Sequence, residues 1–177
     1  FNRFELTGKD AHSFLNRMAC GTVTSKPGRV GLGYLLNHQG RVKCEATFAN
    51  LPASDRGPDR IWYGSAAASE FHDMDWLLEN LKDDEDVQIK SLTNDQTILV
   101  LAGPKSRDVL SAAARGDWSA SAFPWLSVRE CFIGYAPATV MGVSFSGELA
   151  YEIHIPNASL YAAYLALREA GEAHGLK

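Results

Sequence analysis

Apolar residues recur along this chain at two distinct periods. Val143, Phe145, Tyr151, Ile153 and Ile155 alternate with Ser144, Glu152 and His154, the period of half-buried strands. Ser146 and Gly147 supply turn chemistry between the two halves, so the stretch predicts a hairpin with Glu148 at its reversal. An earlier hairpin is predicted from "VGLGYLLN" and "RVKCEATFANL" on either side of "HQG", with Gly40 in the loop. In its second strand Val42, Cys44, Ala46 and Phe48 share one face, while Arg41, Lys43, Glu45 and Thr47 share the other. Cys44 therefore reads as a core residue. "RIWYGSAA", "VQIKSL", "TILVLAG", "FPWLSVRECFIG" and "APATVMGVSFS" are further predicted strands.

Four segments carry the helical period instead. Ala11, Phe14, Leu15 and Met18 fall on one face after a predicted N-cap at Thr7, with Asp10 three residues on. "SEFHDMDWLLENLK" predicts an amphipathic helix with Phe71, Met74, Leu78 and Leu81 inward. "GPKSRDVLSAAAR" carries Pro104 in its first turn. "NASLYAAYLALREAGEAHG" is bounded by Asn157 and Gly175. Strands and helices alternate irregularly, and tight turns join several strand pairs. The pattern predicts an α+β fold, antiparallel sheets with flanking helices, rather than a doubly wound one. The loop "PASDRGPD" is the one stretch that reads as a linker.

Composition narrows the function classes. Seventeen Lys and Arg stand against 21 Asp and Glu, a net charge of −4, which disfavours nucleic acid as the main partner. No apolar run approaches the roughly 20 residues of a membrane span. The three cysteines are far apart without a C-x-x-C, which suits a reducing compartment. The chain opens at Phe1 and stops at Lys177 in mid-pattern, so both ends read as cut from a longer parent.

Most local motifs are chemically silent. "PGRVGLG" has the spacing G-x-x-G-x-G and runs into a strand, unlike a dinucleotide loop. The five histidines are scattered, so no metal site is expected. No G-x-S-x-G nucleophile motif occurs. Two carboxylates remain. Glu45 sits on a polar strand face, where a solvated residue is equally consistent, and Glu148 occupies the hairpin reversal.

The order of signals carries more. "GKDAHSFLNRM", "PGRVGLGYLLNHQGRV", "DMDWLLENL", "VLAGPKSRDVL", "FSGELAYEIHIPN" and "LREAGEAHGLK" follow one another. This series resembles the aminomethyltransferase (glycine-cleavage T-protein) folate-binding family, in particular the form fused to the C-terminal side of dimethylglycine and sarcosine dehydrogenases. The resemblance spans essentially the whole chain. It implies the first two domains of a three-domain folate-binding cloverleaf, with the C-terminal β-barrel beyond Lys177. Residues 1–50 and 125–177 would form a discontinuous first domain, and 51–124 an inserted second α+β domain.

The resemblance also implies a reaction. A methylamine such as dimethylglycine is oxidised at FAD, held only in the upstream part of the parent. The iminium carbon then passes to tetrahydrofolate, giving 5,10-methylenetetrahydrofolate. The expected partners are tetrahydrofolate and a methylamine-derived substrate, with no nucleic acid and no membrane. The expected location is the cytoplasm, or the mitochondrial matrix in a eukaryote. The family pattern Gly-Gly-x-x-x-Asp is "GRVKCE" here, so Glu45 stands at the catalytic acid position with one more methylene, roughly an Å of extra reach. "Y-T-G-E" is "F-S-G-E", which places Glu148 at the pterin-binding acid and Phe145 at the family tyrosine. Tyr34 is a candidate second wall of the pocket, or simply a half-buried strand tyrosine. Three alternatives stay open: a stand-alone aminomethyltransferase, a sulfonium demethylase, and a non-catalytic folate-binding protein of the same superfamily.

Overall fold

A computed structural model describes all residues, Phe1–Lys177. The chain divides into two compact units, Phe1–Thr93 and Asn94–Lys177. Each is built on one fully antiparallel sheet with two α-helices. This is the α+β arrangement that the alternating patterns predict.

The first unit contains β1 (Asn2–Thr7), α1 (Ala11–Met18), β2 (Ala19–Cys20), β3 (Val30–Leu36), β4 (Val42–Leu51), β5 (Arg60–Ser65), α2 (Glu70–Glu79) and β6 (Gln88–Ser91). The strand order is β2-β3-β4-β5-β1-β6. β5 lies between β4 and β1, and all six of its residues are buried. The predicted hairpin is β3–β4, and its alternation holds where the strand meets the core: Cys44, Ala46 and Phe48 are buried while Glu45 is exposed. Phe4 stacks on Tyr63 with centroids 5.5 Å apart, and Phe48 meets the same ring edge-on at 5.7 Å. Phe14 and Leu15 of α1 and Leu77 of α2 complete this core.

The second unit contains β7 (Gln96–Ala102), α3 (Ser106–Ala113), β8 (Val128–Ile133), β9 (Ala136–Met141), β10 (Ala150–Pro156) and α4 (Leu160–Glu172), with strand order β7-β10-β9-β8. Tyr151, Ile153 and Ile155 of β10 are buried against Leu110 of α3, Leu167 of α4, Trp118 and Phe123. On the opposite face, His154 Nε2 lies 3.2 Å from Glu152 Oε2. The two most specific sequence pieces meet here. The "GPKSRDVL" start is tied to "SGELAYEIHIP" because Gly103 N–H and Ser106 Oγ both donate to Leu149 O, at 2.9 and 3.1 Å.

Several expectations are corrected. Residues 51–124 do not form one inserted body: β5 pairs into the first sheet and β7 into the second, so strand pairing divides the segment near Thr93. Thr7 is not a helix cap, because β1 runs through it and pairs Thr7 with Gln88; α1 begins after Asp10. In α2 Phe71 and Leu78 face solvent, and Asp73 and Leu77 take the inward positions. A cluster of buried polar groups under α2 gives Asp73 partners, so an acid outcompetes the apolar residues for that face. The strand predicted over 136–146 ends at Met141; Gly142 still exchanges backbone hydrogen bonds with Leu126 and Ser127, and the residues after it leave the sheet. Asn157 opens a 3-10 turn rather than α4, and its side chain bonds Thr97 and the Asn94 carbonyl, each at 2.7 Å.

Candidate functional site

The second unit carries a shallow pocket of about 50 Å³ that opens to solvent. Glu148, Leu149 and Tyr151 from the start of β10, Arg107 from α3, and Pro124 with Trp125 from the connection before β8 line it. Each wall has an identifiable support. Arg107 Nη1 donates to the Trp118 and Phe123 carbonyls, which clamps the segment leading to Trp125. The same guanidinium lies over the Tyr151 ring, 5.6 Å from its centroid. Tyr151 is 1% exposed, and its hydroxyl is buried with no hydrogen-bond partner. Burial pushes the Tyr151 pKa up, and the nearby Arg107 charge opposes that shift. Tyr151 thus lines the pocket while its own buried hydroxyl lacks a hydrogen-bond partner, a costly arrangement in a packed interior.

Glu148 is exposed at the rim of this pocket. Phe145, expected to share a wall with it, lies in the loop between β9 and β10 and is 100% exposed. Losing the strand at Met141 removes the alternation that would have turned Phe145 inward. The sequence reading missed Arg107, Trp125 and Tyr151. Arg107 lies within "GPKSRDVL" and Tyr151 within "SGELAYEIHIP", so the signal was the motif pair itself.

In the first unit, Tyr34 of β3 and Glu45 of β4 are direct cross-strand partners on an exposed face. The two residues are thus brought together, both accessible and both mounted on a sheet. The opposite face of β4 holds a polar cluster that the pattern did not reveal. Asp73, 1% exposed, accepts from the Ser65 hydroxyl, from Cys44 Sγ at 3.2 Å and from Asn2 Nδ2 at 3.3 Å. Its other oxygen lies 2.9 Å from His72 Nδ1. Asn2 also reaches Ser65 Oγ at 2.6 Å, and Cys44 Sγ lies 2.9 Å from the Tyr63 hydroxyl. A buried carboxylate is tolerable when its oxygens are bonded in this way. The Cys44 pKa is pushed up to about 11, chiefly by burial; the Tyr63 bond works against this and Asp73 adds to it. Burial also raises Tyr63. The thiol is therefore protonated and inert near neutrality, a structural group beside Glu45 rather than a nucleophile.

No set of three or more His, Cys, Asp and Glu side chains is gathered to hold a metal ion. No helix is long and apolar enough to cross a membrane.

Known proteins give this geometry its context. Human mitochondrial dimethylglycine dehydrogenase is 29% identical over 177 residues, 99% of this chain and 20% of that protein. Sarcosine oxidase subunit alpha of Rhizobium meliloti (strain 1021) is 32% identical over 180 residues, covering 98% and 18%. The chain spans about a fifth of the length of these curated relatives. Among solved structures, the glycine cleavage system aminomethyltransferase T from Bartonella henselae superposes with a TM-score of 0.77 at 20% identity, over 94% of this chain and 42% of that one. Heterotetrameric sarcosine oxidase from Corynebacterium sp. U-96 gives a TM-score of 0.72 at 16% identity, over 99% and 82%. At those identities the likeness is one of fold. The family profile of the GCVT N-terminal domain matches residues 1–177, and the chain belongs to that family.

Proposed function

We propose that residues 1–177 form the folate-binding, one-carbon-transfer region of a dimethylglycine or sarcosine dehydrogenase-like enzyme. In this reading the carbon of a methylamine-derived iminium passes to tetrahydrofolate. The observation that carries it is the position of Glu148, an exposed carboxylate at the rim of a pocket whose wall includes Tyr151. A reduced pterin offers an N–H and an exocyclic amine side by side, and a carboxylate on a rigid mount accepts both. Ties from Gly103 and Ser106 to Leu149 supply that rigidity. Family membership and the names of the relatives support the same reading.

The residues present suit a reduced folate. When bound, tetrahydrofolate supplies the nitrogen that takes up the carbon. Glu148 would hold the ring edge, beside a wall that includes Tyr151. Glu45 holds or releases a proton at its carboxylate, on a strand fixed from behind by the Cys44–Asp73 contact. Amine oxidation and FAD belong to other parts of the parent chain, as does the third domain of a folate-binding cloverleaf. No disulfide joins the three cysteines, which suits a reducing cytoplasm or mitochondrial matrix.

The test is calorimetric titration of a reduced folate into the full-length protein and its Glu148→Gln variant. Glutamine turns one acceptor oxygen into a donor facing a donor. Loss of a charge-assisted bond of about 2–3 kcal/mol lowers affinity roughly 30- to 150-fold. Equal affinity for wild type and variant would reduce Glu148 to a solvated turn residue and remove the basis of the reading.

A further inference from the structure

Trp125 is 62% exposed, so its large apolar ring is open to a partner. It lines the same pocket as Glu148, and the chain around it is built to hold it there. Leu126 has φ 59°, a left-handed backbone that a branched residue adopts only when its surroundings enforce it. The enforcement is visible. Leu126 N–H donates to Gly142 O, and Gly142 N–H donates to Ser127 O, both at 2.8 Å. Gly142 permits this pairing because a Cβ there would lie 3.3 Å from the Phe123 ring and 3.5 Å from Pro124 O. On the other side, Arg107 holds the Phe123 carbonyl at 3.2 Å. Trp125 is thus fixed between two anchored residues while its own side chain stays uncovered. Strained backbone beside an exposed aromatic ring and a rim carboxylate together describe a ligand site.

We propose that Trp125 is the stacking wall of the Glu148 pocket, and that the site takes a planar aminopyrimidine-type ring. The ring's N–H edge meets Glu148 and its π face lies on the indole. The proposal rests on the folate reading of Glu148 and deepens it: Trp125 takes over the aromatic role that the sequence reading gave to Phe145. An indole presents more stacking surface than a phenyl ring and keeps its face with little rotamer freedom. It selects for a flat aminopyrimidine ring over a flexible amine bearing the same N–H groups.

The experiment uses the full-length protein as wild type, Trp125→Ala, Trp125→Phe and Glu148→Gln. A reduced folate, 5-formyltetrahydrofolate, is titrated by calorimetry and by intrinsic tryptophan emission, with thermal melting as a folding check. Aromatic stacking is sequence-tolerant and substantial. Trp125→Ala should therefore weaken binding roughly ten- to a hundredfold, and Trp125→Phe by less than about fivefold. The other three tryptophans are more buried than Trp125, so ligand-induced quenching should shrink in Trp125→Phe even while calorimetry reports binding. If Trp125→Ala binds like wild type while Glu148→Gln is weakened, the stacking role is overturned and the folate reading stands. Unchanged quenching in a Trp125→Phe variant that still binds would also overturn it. If Glu148→Gln binds like wild type, or wild type binds no reduced folate, the underlying reading fails and this proposal fails with it.

Discussion

Tyr34 and Glu45 face one another directly across β3 and β4, both on the exposed side of the sheet. The strand behind Glu45 is pinned by Cys44, whose thiol reaches the buried Asp73 carboxylate at 3.2 Å. An accessible acid on an anchored strand suits proton transfer, which needs reach to a reactant and little freedom to wander. In the full-length enzyme, Glu45→Gln should leave reduced-folate affinity within about threefold and lower the one-carbon transfer rate on the order of 10²-fold or more. Single-turnover kinetics beside calorimetry separate the two effects. A variant that transfers at the wild-type rate would return Glu45 to an ordinary polar strand face.

Asp73 should be worth more to stability than any surface acid. Ser65, Cys44 and Asn2 direct donors at one of its oxygens, and His72 approaches the other. Asp73→Asn keeps the volume and removes the charge, so the bonds from Ser65, Cys44 and Asn2 lose their charge assistance. The expected loss is about 3 kcal/mol, read as a lower urea midpoint at unchanged m-value. A midpoint within error of wild type would mean that the cluster rearranges at no cost.

Cys44 and Cys20 should differ sharply in reactivity. Cys20 is exposed, whereas Cys44 is buried with its pKa pushed up to about 11. At pH 8 a thiol reagent should label Cys20 quickly and Cys44 only at the rate of unfolding. The same shift makes stability depend on pH. Below the ordinary thiol value of 9.0 both folded and unfolded chains keep the proton, so the contribution is fully present. Between pH 9 and about 11 the unfolded chain releases the proton first, and stability falls across that window. A Cys44→Ala variant should show a flatter urea midpoint over the same range. Equal slopes in the two proteins would contradict the shift.

Gly64 should not tolerate a methyl group. The Trp62 ring folds across it within β5, and a Cβ at position 64 would come within 2.2 Å of that ring. Trp62 is 5% exposed and sits on a strand that is buried throughout, so the ring has little room to retreat. Gly64→Ala should destabilise the protein by about 1–3 kcal/mol, as over-packing does. Gly64→Ala combined with Trp62→Leu should recover part of that loss. Thermal melts of the single and double variants provide the check.

Much of this protein was legible from local pattern. Alternation along β4 sorted Cys44, Ala46 and Phe48 from Glu45 because side chains on a strand change face at every residue. The α+β class followed from the mixture of periods, and the ordered motifs pointed to the GCVT family that the profile match establishes. Tertiary structure decided the rest, wherever partners distant in sequence outweighed local preference. Asp73 faces inward because Asn2, Cys44 and Ser65 converge on it from three different strands, a compensation that no helical period encodes. β5 is buried on both faces because of its place in the strand order, which periodicity within one strand cannot reveal. The aromatic ring beside Glu148 is Trp125 rather than Phe145, because Phe145 lies past the end of β9 in an exposed loop while Gly142 pairs with residues 126 and 127 and holds Trp125 at the pocket. That pairing depends on a close approach between two backbone segments, and a sequence records such an approach only as one small residue.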